Sequence, residues 1–490
     1  MAWGFNSHAG PDGALGPPPD RGQRGARGFL GYTMIVCKFG GTSVQDAEAL
    51  LRLAGIIRAR RDRQPVVVSS AMGKTTNHLL EVARTAARGR KTEALDLLAK
   101  IRDMHLREAR NLGIAVAEDQ VWEAIQAYFK EMRDLVRGLA ALGELTPRVT
   151  DTMASYGERL STLIIARLLE DQGLPAELMD ARECIITDDH FTRAAPLFDL
   201  TEAAIVERFR PVLQSGRIPV FQGFIGSTRE GLTTTIGRGG SDFTAAIVGA
   251  ALDAEDIQIW TDVDGIMTTD PRMVEHARRI RVISFDEAAE LAYFGAKVLH
   301  PATIIPAVRK KIPVHVLNSA KPDHEGTLIT DEAPCCDNPV KAIAYKSGIT
   351  VVNVTSTRML MAYGFLKKIF EIFEQHRVPV DVVATSEVSV SLTVDDTSNL
   401  WDIVTDLKRI GEVNIEGSKS IVCCVGDNVR NVPGLPHVAF SALRDIRIQM
   451  ISQGASAINI TFVIDDDRLP EAVRGLHDAF FQKVDPRIFE

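Results

Sequence analysis

The stretch Ile35-Val36-Cys37-Lys38-Phe39-Gly40-Gly41-Thr42-Ser43-Val44 decides the fold. Ile35 to Phe39 is an apolar run interrupted by one lysine and reads as a buried strand. The run breaks at Gly40-Gly41, passes Thr42-Ser43 and gives way to a helical pattern from about Asp46. Paired glycines at a strand-to-helix turn let backbone N–H groups close on an anion, and the helix start adds its positive end. Lys38 brings a full charge to the same end of the strand. The chemistry suggested is phosphate handling. A tight turn with a snorkelling lysine is the competing reading of these residues alone.

Outward from this stretch, strands and helices alternate. The pattern predicts a helix over 47–61 and a strand over 65–70, where Val66-Val67-Val68 is β-branched. A long helical region over 77–142 follows, with Leu97, Leu98, Ile101 and Met104 at amphipathic spacing. Further helices are expected over 152–171, 241–251, 285–294 and 302–310. Strands are expected over 176–180, 218–223, 232–236 and 256–261, with 314–317 as the last. Such alternation argues an α/β sheet with helices on both faces. A polar linker, Asp331 to Asn338, marks a boundary. Beyond it the pattern changes to two β-α-β-β-α units of about 70 residues each. The domains read as 34–332, 339–415 and 416–485.

The chain has 490 residues, and a net charge of -8 argues against a nucleic-acid partner held by bulk positive field. No apolar run reaches the roughly 18 residues that span a membrane. The six cysteines show no C-x-x-C spacing, so there is no zinc or redox signature, and no residue set for a protein-held metal is read. Free thiols suit a reducing cytoplasm. Residues 1 to 33 are rich in Gly and Pro and read as a disordered extension, with Met34 placed where a natural start would be.

One apparent motif is a decoy, and others carry chemistry. Gly73-Lys74-Thr75 mimics the end of a P-loop, but Val68 stands where the P-loop needs glycine. Gly237-Arg238-Gly239-Gly240-Ser241-Asp242 sets an arginine between glycines at a helix start. A guanidinium there can grip a carboxylate or phosphate through two bonds. Asp242 can cap the helix or orient a lysine across the site. Thr261-Asp262 ends a strand, where α/β sheets place ligands. Glu158, read near a helix start, is a solvated helix charge if taken alone.

Together and in this order, KFGGTSV, GRGGSD, WTDVDGI and FGAKVLHP resemble aspartokinase of the amino-acid kinase family, and the tail resembles its paired ACT domains. The resemblance covers about Met34 to Phe480. It implies an amino-acid-kinase fold, a parallel-rich sheet sandwiched by helices, followed by two ferredoxin-like ACT domains. It implies transfer of the γ-phosphoryl of ATP, with Mg²⁺, to the side-chain carboxylate of L-aspartate, the first step towards lysine, threonine and methionine. Lys38 and Asp242 are the implied catalytic pair. Thr76, Glu158, Arg238 and Ser241 are implied to bind aspartate, Arg238 at the α-carboxylate and Glu158 at the α-ammonium. Gly40, Gly41, Ser43, Thr261, Asp262, Met267, Arg272, Lys297 and Val298 join Lys38 in the implied ATP site. Met267 stands where the family often has Tyr.

Gly364-Phe365-Leu366 and Thr385 to Val390 resemble the lysine-sensitive, monofunctional branch. Feedback by lysine is implied at Met359, Gly364, Phe365, Leu366, Asp381, Ser386 and Glu387, between ACT units of a homodimer or tetramer. Ala362 replaces a frequent Ser, and threonine is the second effector considered. The alternatives weighed are a kinase of the same fold acting on another amino acid, and an amino-acid-binding regulator with an inactive kinase half.

Overall fold

Ile35–Phe39 is buried at every position, because its apolar residues can be covered on both faces of a parallel sheet. It pairs in parallel with Pro65–Ser69 on one side and Asp256–Thr261 on the other. The computed structural model describes residues 34–114, 120–295, 303–334, 336–359 and 363–490. The predicted extension over 1–33, Lys297, Val298, Cys335 and Ala362 lie outside them.

The eight-stranded sheet runs Ala176–Met179, Ile218–Gln222, Pro65–Ser69, Ile35–Phe39, Asp256–Thr261, Val314–Asn318, Thr327–Thr330, Val282–Ser284. Only the pairing of Val314–Asn318 with Thr327–Thr330 is antiparallel. Val314–Asn318 is therefore not the last strand of this sheet, as the sequence suggested. The helical region over 77–142 resolves into Thr75–Ala87, Lys91–Asn111 and Gln120–Leu142. Gly89 and Gly113, both in the left-handed region, end the first two. Their apolar faces, including Leu98, Phe129 and Met132, share one core with the strand residues Ile35, Cys37 and Phe39. The helix predicted over 152–171 starts earlier, at Pro147, with Thr146 capping Val149 N–H.

The tail forms one six-stranded antiparallel sheet. Two 14-residue strands, Ala342–Thr355 and Glu412–Val425, lie at its centre and pair from Ala342 with Val425 to Thr355 with Glu412. Ser389–Val394 and Val383–Thr385 flank the first, and Asn459–Asp465 and Ile448–Gln453 flank the second. The boundary read between residues 415 and 416 falls inside Glu412–Val425. The leading half of Ala342–Thr355 pairs with the half of that strand beyond it. The two repeats are thus interleaved in space rather than laid end to end.

A fully buried ion pair joins the helix Phe285–Tyr293 to the residue just ahead of the tail's first strand. Lys341 Nζ lies 2.9 and 3.0 Å from the two carboxylate oxygens of Glu287, with both side chains almost wholly covered. Glu287 also closes a capping box with Ser284 at the start of the helix Phe285–Tyr293. Removing one partner of a buried pair leaves the other charge stranded. Glu287→Gln keeps the size and the cap but strands the Lys341 ammonium. It is expected to lower stability by about 3–5 kcal/mol, read from urea unfolding. An unchanged midpoint would show that the pair is replaceable by a neutral hydrogen bond.

Candidate active site

The strand order reverses at Ile35–Phe39, with Pro65–Ser69 following on one side and Asp256–Thr261 on the other. Crevices at the carboxyl ends of strands at such a switch point are where open α/β sheets hold ligands. A cavity of about 270 Å³ opens there, lined by Lys38, Ser70, Thr76, Glu158, Phe224 and the run Gly237 to Asp242.

Lys38 and Val36 face one side of the sheet, opposite Ile35, Cys37 and Phe39. Lys38 Nζ meets Asp242 Oδ1 at 2.6 Å. Asp242 is the third residue of the helix Gly240–Ala251, whose N-cap, Gly239, has no side-chain cap bond. Of the two roles open to Asp242, pairing with the lysine prevails over capping. The helix start favours its negative charge as well.

Arg238 lies between Gly237 and Gly239, both with positive φ, which carries the loop around the cavity mouth. Asp151 fixes the strand leading into that loop. Its carboxylate accepts bonds from the backbone N–H of Thr192 and Thr235, at 2.8 and 2.9 Å, and from the Thr235 hydroxyl at 2.7 Å. Sequence reading missed Asp151. Its signal was its place two helical turns before Glu158, on the same face of the helix Pro147–Asp171.

Glu158 lies in the middle of that helix, not near its start. It is buried, takes the Ala71 N–H at Oε1 (3.2 Å), and has its other oxygen buried without a hydrogen-bond partner. Desolvation pushes its pKa up to about 8, against the opposing bond from Ala71. A solvated helix charge is therefore excluded. This carboxyl is held dry against a cavity with hydrogen bonds but no cation beside it, which suits a cationic ligand.

The turns after the first two strands are packed back to back. Gly73 N–H donates to Gly41 O at 2.9 Å, and a Cβ on Gly41 would sit 2.7 Å from the Gly73 carbonyl oxygen. Ser43 is buried away from the cavity, with its hydroxyl 2.8 Å from that of Ser319 and 3.2 Å from Trp260 O. The Gly40 N–H is taken by Trp260 O.

Lys38, Thr76, Glu158, Arg238, Ser241 and Asp242 thus share one cavity. Thr261, Asp262, Met267 and Arg272 lie outside its lining, at the neighbouring strand end and on the segment after it. Asp262 is exposed there. Arg272 forks onto Asp270 at 3.0 and 2.6 Å, and this bonding holds the Asp270 carboxyl at about 2.

In the tail, Gly364, with positive φ, precedes the helix Phe365–Gln375, where Phe365 is buried and Leu366 partly exposed. Met359 packs against the adjoining core. Ser386 and Glu387 form the exposed turn between Val383–Thr385 and Ser389–Val394. The Asp381 side chain is covered and already holds an ammonium: Lys346 Nζ lies 3.0 Å away, and Tyr293 donates its hydroxyl at 2.8 Å.

Comparison with known proteins agrees with this geometry. A model of the amino acid kinase family matches residues 33–318, and an ACT domain model matches residues 422–480. Aspartokinase 1, chloroplastic, of Arabidopsis thaliana is 40% identical over 467 residues, spanning 92% of this chain and 80% of its own. Lysine-sensitive aspartokinase 3 of Escherichia coli (strain K12) is 38% identical over 465 residues, spanning 92% and 99%. The structure of E. coli aspartokinase III with aspartate and ADP (R-state) superposes with a TM-score of 0.81 at 36% identity, covering 92% of this chain and all of that one. The same enzyme with lysine and aspartate (T-state) gives 0.76, with the same identity and coverage.

Proposed function

The chain belongs to the aspartokinase family, and on that footing we propose that it transfers the γ-phosphoryl group of ATP to the side-chain carboxylate of L-aspartate. The products are 4-phospho-L-aspartate and ADP, at the head of lysine, threonine and methionine synthesis. The observation that carries the reading is one cavity holding a paired lysine and an unpaired carboxyl. A lysine is fixed by an aspartate at 2.6 Å, and a buried glutamate has no cation of its own.

The acceptor carboxylate is ionised at neutral pH, since its reference pKa is about 3.9. No general base is needed, and none of the cavity-lining residues is a histidine. One carboxylate oxygen attacks the γ-phosphorus, the bond to the β–γ bridging oxygen breaks, and its electrons leave with ADP. Catalysis is then positioning and charge neutralisation. Lys38, oriented by Asp242, faces the charge that builds between the two substrates. Arg238 grips the α-carboxylate and Glu158 the α-ammonium, with Thr76 and Ser241 completing the pocket.

Thr261, Asp262, Met267 and Arg272 belong to the nucleotide side of this reading, with Gly40 and Gly41 shaping the turn beneath the phosphates and Ser43 bracing it. Mg²⁺, when bound with the nucleotide, supplies further neutralisation of phosphate charge. The exposed Asp262 offers it one hard oxygen, and phosphate and water suit the rest.

Lysine is the proposed feedback effector. Asp381 supports this because it binds an alkylammonium in the free chain, that of Lys346. An effector lysine bound at Asp381 displaces Lys346 from it. Homodimerisation through the tail fits the exposed Tyr363, Leu366 and Phe370 around the same helix start. The cytoplasmic setting rests on the free thiols, Cys37, Cys184, Cys423 and Cys424 being buried.

A hydroxamate assay with L-aspartate and Mg-ATP, with and without lysine, tests the whole reading. Hydroxamate formed and suppressed by lysine is expected. Its absence from folded protein would move the reading to another acceptor. In the same assay Lys38→Ala should lose turnover by about 10²–10³-fold or more, with an unchanged circular dichroism spectrum. Retained turnover would remove Lys38 from the mechanism.

The Glu158 carboxyl is largely protonated at pH 7 in the free chain, and only its anion holds an ammonium. Aspartate affinity, measured by calorimetry from pH 6.5 to 9, should therefore rise as pH rises. The slope approaches about tenfold per unit below pH 8 and levels off above it. Glu158→Gln should flatten the profile and weaken binding. A flat profile in the parent chain would place the ammonium elsewhere.

If Lys346 competes with the effector, Lys346→Met should lower the half-inhibitory lysine concentration. The expected change is about 2- to 5-fold, the worth of an ion pair whose lysine is still partly exposed and keeps a second carboxylate, Asp395. Unchanged or weaker inhibition would end the competition reading.

A further inference from the structure

Beside the segment that carries Met267 and Arg272, three potential metal ligands converge from distant parts of the chain. They are His276, which follows Arg272, and His477 and Asp478, on the helix Leu469–Phe480. One ligand atom from each lies within 4.8 Å of the others. The two imidazoles meet edge to face, with centroids 5.0 Å apart. His276 Nε2 is 3.2 Å from Asp478 Oδ1.

An ordinary histidine–carboxylate contact accounts for His276 and Asp478. It does not account for His477. That side chain is 1% exposed. Its Nε2 is 3.0 Å from the Thr268 hydroxyl, while its Nδ1 is buried with no hydrogen-bond partner. A buried polar atom left unsatisfied calls for an explanation, and an absent ion is one. In the tautomer that donates Nε2–H to the Thr268 hydroxyl, the bond fixes the ring and leaves Nδ1 as the donor to a metal, as a metal-binding imidazole needs. Thr268 is itself held in place, its hydroxyl accepting the Arg278 N–H and its carbonyl the Ile343 N–H.

We propose that His276, His477 and Asp478 form a binding site for a divalent transition-metal ion of the Zn²⁺ class, with a fourth position open to water. Two imidazole nitrogens and one carboxylate suit such an ion and do not suit Mg²⁺, which prefers oxygen. Ligand bonds of about 2.0–2.2 Å require the donors to draw closer than they now lie. The exposed His276 and Asp478 can do so by rotating, while His477 stays fixed. The ion would clamp the nucleotide-side segment to the last helix of the tail.

The test uses the full chain without a histidine tag, stripped with EDTA, and in the absence of nucleotide. Co²⁺ is titrated by visible absorption and Zn²⁺ by competition. One equivalent bound at micromolar concentration or below is expected, with a tetrahedral Co²⁺ spectrum and a higher melting temperature on adding Zn²⁺. His276→Ala and Asp478→Asn, both at exposed positions, should each weaken binding by about tenfold or more and abolish the melting shift. Their metal-free circular dichroism and melting temperature should match the parent's, which separates lost binding from lost folding. No saturable binding by the parent, or equal binding by parent and variants, overturns the proposal. The second outcome means an adventitious ion only.

Discussion

An ammonium on the central strand of a parallel sheet is the constraint from which the kinase half is built. Lys38 interrupts an otherwise apolar strand, and a buried charge is tolerated only when paired. Its partner, Asp242, comes from a helix that must start close against the strand ends. That approach explains small residues that no turn alone demands. A Cβ on Gly223 would lie 2.6 Å from that of Ser241, and one on Gly240 would lie 2.7 Å from the Phe224 ring. A separate close approach seats Glu158: a Cβ on Gly157, its neighbour, would lie 2.8 Å from that of Ala71. The two acids then divide their roles by environment. Asp242 is paired from within the chain, whereas Glu158 is left dry without a cation beside it, and burial raises its pKa to about 8.

The part of this arrangement visible in the sequence is the part that breaks a local rule. A lysine in an apolar run, an arginine between glycines and an aspartate at a helix start each conflict with the simplest pattern, and each lies at the cavity. Glu158 breaks no rule within its own helix, so its burial appears only in three dimensions. Ser43 shows the converse: a polar residue beside a phosphate-like turn whose hydroxyl is spent on Ser319. In the tail, Lys346-Ser347-Gly348 breaks the apolar pattern ahead of Ile349, so the sequence shows a strand only from there. The strand in fact runs from Ala342 through an irregularity there, because each half has its own partner stretch in Glu412–Val425. The helix Phe198–Gln214 was not read at all. Pro211 within it masks the helical period. His276 and His477 are ordinary in their own segments, and only the packing of the two halves brings them together.

That packing runs through one strand. Along Ala342–Thr355 successive side chains point to opposite faces. Tyr345 reaches one way, to Asp270, the carboxylate that holds Arg272. Lys346 reaches the other way, to Asp381 and Asp395. Three residues before Lys346, the Ile343 N–H donates to Thr268 O, so the backbone itself is fastened to the segment that carries Arg272. Asp381 also takes the Tyr293 hydroxyl, from the end of the helix whose Glu287 holds Lys341. A ligand that takes Lys346's place on Asp381 therefore does not act on a free loop. It disturbs a carboxylate tied both to the kinase half and to a strand whose adjacent residue supports the arginine of the proposed nucleotide side. Lys346 has two carboxylates within reach, at 3.0 and 2.6 Å, so release from Asp381 leaves it a second resting place at Asp395. The exchange therefore need not strand the Lys346 ammonium, which keeps its cost small beside that of breaking the buried pair of Lys341 and Glu287.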